Sequence, residues 1–253
     1  MLKIIRARLQ QGHRTAPYPR VAPTMPDRFH GRPRLDPARC AALNADFGAV
    51  CPAAAWTRGA DGGWTLDMGR CIFCGACATA APEGAVVFTR DYELAAGRRE
   101  DLTVRDAAPA KKEIVLRNEI RRIFGRSLKL RQVSAGGCNA CEADTNVLTT
   151  PHFDLGRFGI QFVASPRHAD GLLITGPVTR NMELALRKTW DATPAPKLVI
   201  AVGACAISGG LFAEGPETLA GAASVLPVDL FIPGCPPHPY TILDGLLRLI
   251  GRM

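Results

Sequence analysis

The stretch CIFCGACATAAPEG, Cys71 to Gly84, constrains this chain more than any other. Cys71, Cys74 and Cys77 follow the spacing C-x2-C-x2-C, which suits three corners of one iron–sulfur cube, and a full run would go on to a cysteine directly before a proline. Here Ala81 stands before Pro82. The fold must bring a fourth thiolate from elsewhere in the chain, or the three cysteines serve another purpose.

Where two such runs occur together, the Cys-Pro of each run crosses over to the other run's cluster. Cys51, followed by Pro52, is placed for that role. Counting back from Cys51, the positions for the first three ligands of its own run hold Ala41, Asn44 and Phe47. With Ala81, all four vacancies belong to one site, and Cys51, Cys71, Cys74 and Cys77 belong to the other. The pattern reads as a two-cluster ferredoxin reduced to a single 4Fe-4S site. Cys40 lies one residue out of register and reads as an unligated thiol. Buried thiols or half of a zinc site are the alternatives, although structural zinc usually draws cysteines in C-x2-4-C pairs, and Cys51 has no close partner.

From Ser127 onward the chain shows short apolar runs that end in glycine or proline: LKLRQVSAGG, IQFVASP, GLLITGP, KLVIAVGA and VDLFIPG. Runs apolar throughout, rather than alternating, suit strands buried on both faces of a parallel sheet. Helical patterns, RNMELALRKTW and PETLAGAASVL, stand between them. The fold expected is α/β, a flavodoxin-like open parallel sheet, preceded by a small ferredoxin-like α+β domain.

A second cysteine set follows the ends of these strands. Cys138 and Cys141 lie in SAGGCNACEAD, Cys205 in AVGACAISGG and Cys235 in IPGCPPHP. Loops beyond the carboxyl ends of parallel strands converge, so four thiolates from three strand ends can meet around a second 4Fe-4S cluster. A thioredoxin-like pair is the competing use of C-x2-C, and it leaves Cys205 and Cys235 unexplained.

Composition divides the chain at residues 1–36, a basic Pro-rich arm expected to be loop-like; 37–106, the cysteine-rich domain; 107–126, a linker helix around KKEIVLRNEIRRIFGRS; and 127–253, the α/β domain. In 37–106 a short strand is expected at AVVFT and a helical turn or two at YELAAGRREDL, and a metal centre would substitute for a core. The arm carries Lys3, Arg6, Arg8, Arg14, Arg20, Arg28, Arg32, Arg34 and Arg39 against Asp27 and Asp36. Such a charge suits an acidic partner or anionic lipid, or equally a solvated extension; nucleic acid is not expected, because no recognised binding motif accompanies it. The first 20 residues show no apolar export segment, which points to the cytoplasm, where clustered cysteines more often bind metal than form disulfides. The longest apolar run, LVIAVGACAISGGLFA, is too short and too rich in glycine to span a membrane.

These motifs carry a resemblance. GGCNACE, GAC and IPGCPPHP occur in the order and approximate spacing of the family shared by NiFe-hydrogenase small subunits and the complex I 20 kDa subunit. The C-x2-C form at Cys138 and Cys141 is similar to the hydrogenase branch. CIFCGACATA and DYELAAGRREDL resemble the ferredoxin subunit of formate hydrogenlyase and hydrogenase-4. The resemblance implies a fusion of two neighbouring electron-transfer subunits, with Cys138, Cys141, Cys205 and Cys235 holding the cluster next to the active site of a separate large subunit.

It further implies an oxidoreductase complex on the inner face of the cell membrane, with other membrane and electron-donor subunits and no catalytic residue in this chain. The same relay in a nickel-free complex I-like oxidoreductase, and a non-redox zinc scaffold, remain open alternatives. Glu142 and Asp144 stand where family members tend to have a pair of acids that could relay protons; the short Asp144 side chain weighs against that role, and a surface or helix N-terminal carboxylate is the favoured reading of either. His238 in CPPHP could hydrogen-bond toward the cluster or simply pack.

Overall fold

A computed structural model of the chain describes residues 2–108, 124 and 127–253. The expected linker helix at 107–126 falls almost wholly outside them. The arm departs from its loop-like expectation at both ends. Helix α1 spans Leu2–Gln11, a stretch free of proline and glycine and rich in Leu, Lys, Arg and Gln, which favour helix. None of its residues is buried. Strand β1, Pro33–Leu35, forms because a partner is waiting: it pairs antiparallel with β4, with Leu35 opposite Val86.

The cysteine-rich half is built from short pieces. Helix α2, Pro37–Cys40, starts at Asp36, whose Oδ1 accepts from the amides of Ala38 and Arg39, and has proline at its first position. Strands β2 (Trp56–Arg58) and β3 (Trp64–Asp67) form an antiparallel hairpin. Helix α3 (Ala76–Ala80) and strand β4 (Val86–Phe88) follow, and β5 (Thr103–Val104) joins the other side of β3. The expected strand at AVVFT is β4. The helical pattern at YELAAGRREDL is confined to a 3-10 turn at Arg99–Leu102, because the chain around Ala96 is drawn out to bond Phe231.

The second half is the expected α/β unit. Its elements are β6 (Leu128–Ser134), α4 (Ala140–Val147), β7 (Ile160–Phe162), β8 (Gly171–Thr175), α5 (Arg180–Ala192), β9 (Leu198–Val202), α6 (Ala204–Ser208), β10 (Leu230–Ile232) and α7 (Pro239–Leu249). The five strands pair in parallel in the order β7-β6-β8-β9-β10. Counted within this half, that is 2-1-3-4-5, the flavodoxin-like order, which places loop-borne ligands beyond the strand carboxyl ends. Every residue of β8, β9 and β10 is buried, as strands covered on both faces require. The helix expected at PETLAGAASVL shrinks to a 3-10 turn at Ala222–Ser224. Ala220 and Gly221 take positive φ, and the amides of Leu219 and Gly221 bond the carbonyls of Val178 and Pro177 instead of their own turn.

The halves interlock. Ala96 and Phe231 exchange backbone hydrogen bonds of 3.0 and 2.9 Å, capping the open edge of β10. Residues of both halves share two apolar cores: Leu66, Met68 and Leu102 pack with Leu172 and Ile174 in one, and Tyr18 and Met25 pack with Leu243 and Leu246 in the other. Fully buried aliphatic side chains of this kind each contribute about 1.5–3 kcal/mol. The cysteine-rich half therefore has an apolar core of its own to share, which its composition did not suggest. Arm residues are bolted down by Arg157, which donates to the carbonyls of Ala16 and Tyr18 at 2.9 Å, and by the Tyr18 hydroxyl, which donates to Asp244 Oδ1 at 3.0 Å.

Candidate metal centres

Three strand ends deliver the second cysteine set. Beyond β6, Asn139 in the left-handed region turns the chain into α4, leaving Cys138 in the loop and Cys141 in the first turn. Beyond β9, Cys205 sits in the first turn of α6. Beyond β10, Cys235 lies in the proline-rich loop that leads to α7. Gly203 is needed where β9 meets α6: its φ is +91°, and a Cβ there would stand 2.5 Å from Cys141 Sγ.

Three of these thiols, Cys141, Cys205 and Cys235, are shifted upward. Burial pushes the Cys141 thiol well up, and Glu142, Cys205, Cys235 and Cys138 push it further. Cys205 is raised to about 11, first by burial and then by Cys235 and Cys138. Cys235 is raised by burial and by Cys138. Without a cation nearby Cys141, Cys205 and Cys235 hold their protons; a metal would supply the missing charge.

In the first set Cys71 and Cys77 are raised as well. Burial raises Cys71 to about 12, opposed by the amide of Phe73, which donates to Cys71 Sγ at 3.3 Å; Cys77, Cys51 and Cys74 add to the rise. Cys77 is raised by burial, Cys51 and Cys74, and is pulled back by the indole of Trp56. That indole Nε1 is buried without an acceptor in hydrogen-bond geometry, so it lies near Cys77 but is not yet aligned on it. The amide of Ala55 donates to Cys51 Sγ at 3.4 Å.

Among the described residues, no group of three or more His, Cys, Asp or Glu side chains stands in coordinating geometry. Each set is a group of neighbouring thiols that a bound cluster would have to draw together. The donor sets nevertheless fit an iron–sulfur cluster: four sulfurs each, backbone N–H groups donated to Cys71 and Cys51 in the first set, and a glycine making room at the second. Cys74, Cys138 and Cys235 are exposed, so each set has a corner open at the surface.

Cys40 stands apart. It is buried and its Sγ donates to the carbonyl of Ala85 at 3.3 Å; burial and Asp36 raise its pKa. At the vacant position 47, Phe47 packs edge-on against Trp56 and Trp64, at 5.2 and 5.8 Å between ring centres.

Glu142 is buried and accepts a 2.6 Å hydrogen bond from Thr175 Oγ1, a partner nothing in the motif announced. Asp144 has its pKa raised by burial and lines a cavity of about 230 Å³. That cavity separates Ile72 and Phe73, in the first cysteine loop, from the Pro233–His238 loop of the second, and is walled on a third side by Arg28, Phe29 and His30. His238 caps α7, its Nδ1 accepting from the amide of Tyr240 at 3.2 Å, and burial lowers its pKa.

Comparison with known proteins falls on the second half. The family described as "NADH ubiquinone oxidoreductase, 20 Kd subunit" matches residues 138–249. A probable membrane-bound hydrogenase subunit of Pyrococcus furiosus is 42% identical over 135 residues, 53% of this chain and 81% of that one. Formate hydrogenlyase subunit 7 of Escherichia coli is 44% identical over 128 residues, 51% of this chain and 50% of that one. A chain of the membrane-bound sulfane sulfur reductase, an archaeal respiratory membrane complex, is 32% identical, with 54% of this chain and 75% of that chain covered at a TM-score of 0.47. The first cysteine set lies outside the family match.

Proposed function

Given that the chain belongs to the NADH ubiquinone oxidoreductase 20 kDa subunit family, we propose that it is the iron–sulfur electron-transfer subunit of a membrane-associated NiFe hydrogenase of the hydrogenase-4 or formate hydrogenlyase kind. Cys138, Cys141, Cys205 and Cys235 hold one 4Fe-4S cluster, and Cys51, Cys71, Cys74 and Cys77 hold the other. When bound, each cluster supplies one-electron redox chemistry at a potential set by its surroundings.

The observation that carries this function is the gathering of four cysteines beyond the carboxyl ends of β6, β9 and β10, with Gly203 leaving room for Cys141 Sγ. The rest of the chain's work is positioning. The amides of Phe73 and Ala55 point at Cys71 and Cys51, and Gly203 opens room for Cys141. Trp56, Phe47 and Trp64 keep water from the inner side of the first set.

The relatives cover the second half, so we read the first as a fused ferredoxin-like domain, with an arm at 1–36 and a linker at 107–126. The exposed Cys138 and Cys235 mark the face that a partner large subunit covers, and the exposed Cys74 marks the corner that meets an electron donor or acceptor subunit. The reaction itself belongs to the large subunit. No described helix is long and apolar enough to cross a membrane, and attachment at the cytoplasmic face runs through partner subunits.

The family's name supports a second reading, in which the same relay serves a nickel-free, quinone-reducing complex. A partner with two C-x2-C nickel-binding motifs favours the hydrogenase; one without them favours the quinone enzyme.

Iron and acid-labile sulfide analysis of the anaerobically purified full chain, with EPR after dithionite reduction, tests the relay. About eight irons and two interacting signals are expected, counting four irons per cube. Zinc without sulfide would sink it, and four irons would leave one of the two sites without its cluster.

A further inference from the structure

His30 belongs to the arm, 41 positions before Cys71, yet it reaches into the loop that carries Cys71 and Cys74. Its Nδ1 lies 2.8 Å from the carbonyl oxygen of Phe73. A carbonyl can only accept, so Nδ1 carries the proton and donates. Phe73 is a non-glycine residue in the left-handed region, with φ of 56°, a conformation that holds only where its surroundings impose it. Both of its backbone polar groups are engaged: the N–H donates to Cys71 Sγ at 3.3 Å and the C=O accepts from His30. Pinned on both sides, Phe73 sets the direction in which Cys74 leaves the turn.

Two further contacts show that the ring's place is reserved. Gly75 has φ of +79°, and a Cβ on it would stand 2.7 Å from His30 Cε1, closer than packed carbons approach. On its other side the imidazole stacks on Phe88, with ring centres 5.2 Å apart and 27° between planes. The backbone beside His30 is held as well: the amide of Gly31 donates to Thr89 at 2.7 Å, and Arg32 and Asp91 bond at 3.0 Å. Next to it, Phe29 packs edge-on against His238 of the second cysteine loop.

We propose that His30 is a positioning residue for the first thiolate set: its ring N–H, donated to the Phe73 carbonyl, holds the left-handed turn that presents Cys71 and Cys74 to one cluster. This role rests on the cluster assignment proposed above. It requires a donor at that point, not merely a flat ring.

Two substitutions separate the donor from the ring. His30→Phe keeps a ring to stack on Phe88 and loses the donor; His30→Asn loses the ring and keeps an N–H at nearly the position of Nδ1. The measurement is anaerobic release of iron from the full chain to a ferrous chelator, with EPR showing which centre's signal decays. Cys235→Ala supplies the signal of the first centre alone. His30→Phe is expected to release the first centre's iron about two- to tenfold faster, the range of one net hydrogen bond. The second centre should keep its original rate, and His30→Asn should release iron as the unaltered chain does.

Release from His30→Phe at the unaltered rate would overturn the role. So would equal acceleration of both centres, or an Asn variant as fast as the Phe variant. If the unaltered chain carries no iron at the first set, it is the cluster assignment that falls, an outcome distinct from iron that is bound there and indifferent to residue 30.

Discussion

Ala96 and Phe231, 135 positions apart, bond each other's backbones in both directions, N to O at 3.0 and 2.9 Å. This bridge seats the cysteine-rich half on the open edge of the parallel sheet. Around it the two halves share their apolar cores, so both cysteine sets are carried by one packed body.

Ala96→Pro removes the donor and leaves the Phe231 carbonyl buried without its partner. A loss of about 2–3 kcal/mol is expected, from the missing hydrogen bond and the fixed φ. Thermal unfolding followed by both tryptophan fluorescence and cluster absorbance should show one lower transition. Unchanged stability would mean the bridge adds nothing to the shared cores.

At Gly203 a Cβ would meet Cys141 Sγ at 2.5 Å, with φ of +91°. Gly203→Ala should therefore lose about four irons, the content of one cube, and keep the first centre's EPR signal. Full iron content in this variant would show that Cys141 has room to move.

Trp56→Phe keeps an aromatic ring against Phe47 and Trp64 and removes the indole N–H that favours the Cys77 thiolate. Hydrogen bonds to cluster sulfurs stabilise the more negative, reduced state. The first centre's reduction potential should fall with iron content unchanged, as read by an EPR-monitored redox titration. A potential that rises or stays constant contradicts this assignment.

Cys40→Ala should leave the iron count untouched. Its thiol bonds the Ala85 carbonyl inside the core, so the expected effect is a stability loss of about 1–2 kcal/mol from lost packing. Loss of about four irons would make Cys40 a ligand.

Asp244 is fully buried, with its carboxyl raised to about 6 by burial. The neighbouring Arg248, whose Nε lies 2.9 Å from Oδ2, and the Tyr18 hydroxyl pull it down, while Glu93 pushes it up. A raised carboxyl means that the folded protein holds a proton the unfolded chain gives up near pH 4. Stability from this group is therefore present at low pH and lost as pH rises toward about 6. Asp244→Asn removes the dependence. Between pH 5 and 7.5 the unaltered chain should lose about 1.4 kcal/mol relative to the Asn variant; parallel stability curves would contradict the raised carboxyl.

The sequence was most informative where the signal is local. The five apolar runs became β6 to β10; β8, β9 and β10 are buried at every residue, as strands covered on both faces are, whereas β6 and β7 alternate and leave Lys129 and Gln161 exposed. It misled where a tertiary partner decided the local structure. PETLAGAASVL has helical composition, yet the loop at Pro177 and Val178 claims its amides. Pro33–Leu35 has little strand character, yet Val86–Phe88 lies beside it.

At the sites the division is similar. Cysteine number and spacing along the chain, and the placement of Cys138, Cys205 and Cys235 just beyond strands, are covalent facts legible one residue at a time. Which groups surround the thiols is a matter of packing. Thr175 under Glu142, Trp56 beside Cys77 and His30 against Phe73 come from distant segments, and no spacing rule connects them. By itself the sequence determined the thiol inventory and the parallel sheet, because both are written in short-range patterns. The tertiary structure alone decided the polar neighbours, because contacts between distant segments exist only after apolar burial has brought their backbones together.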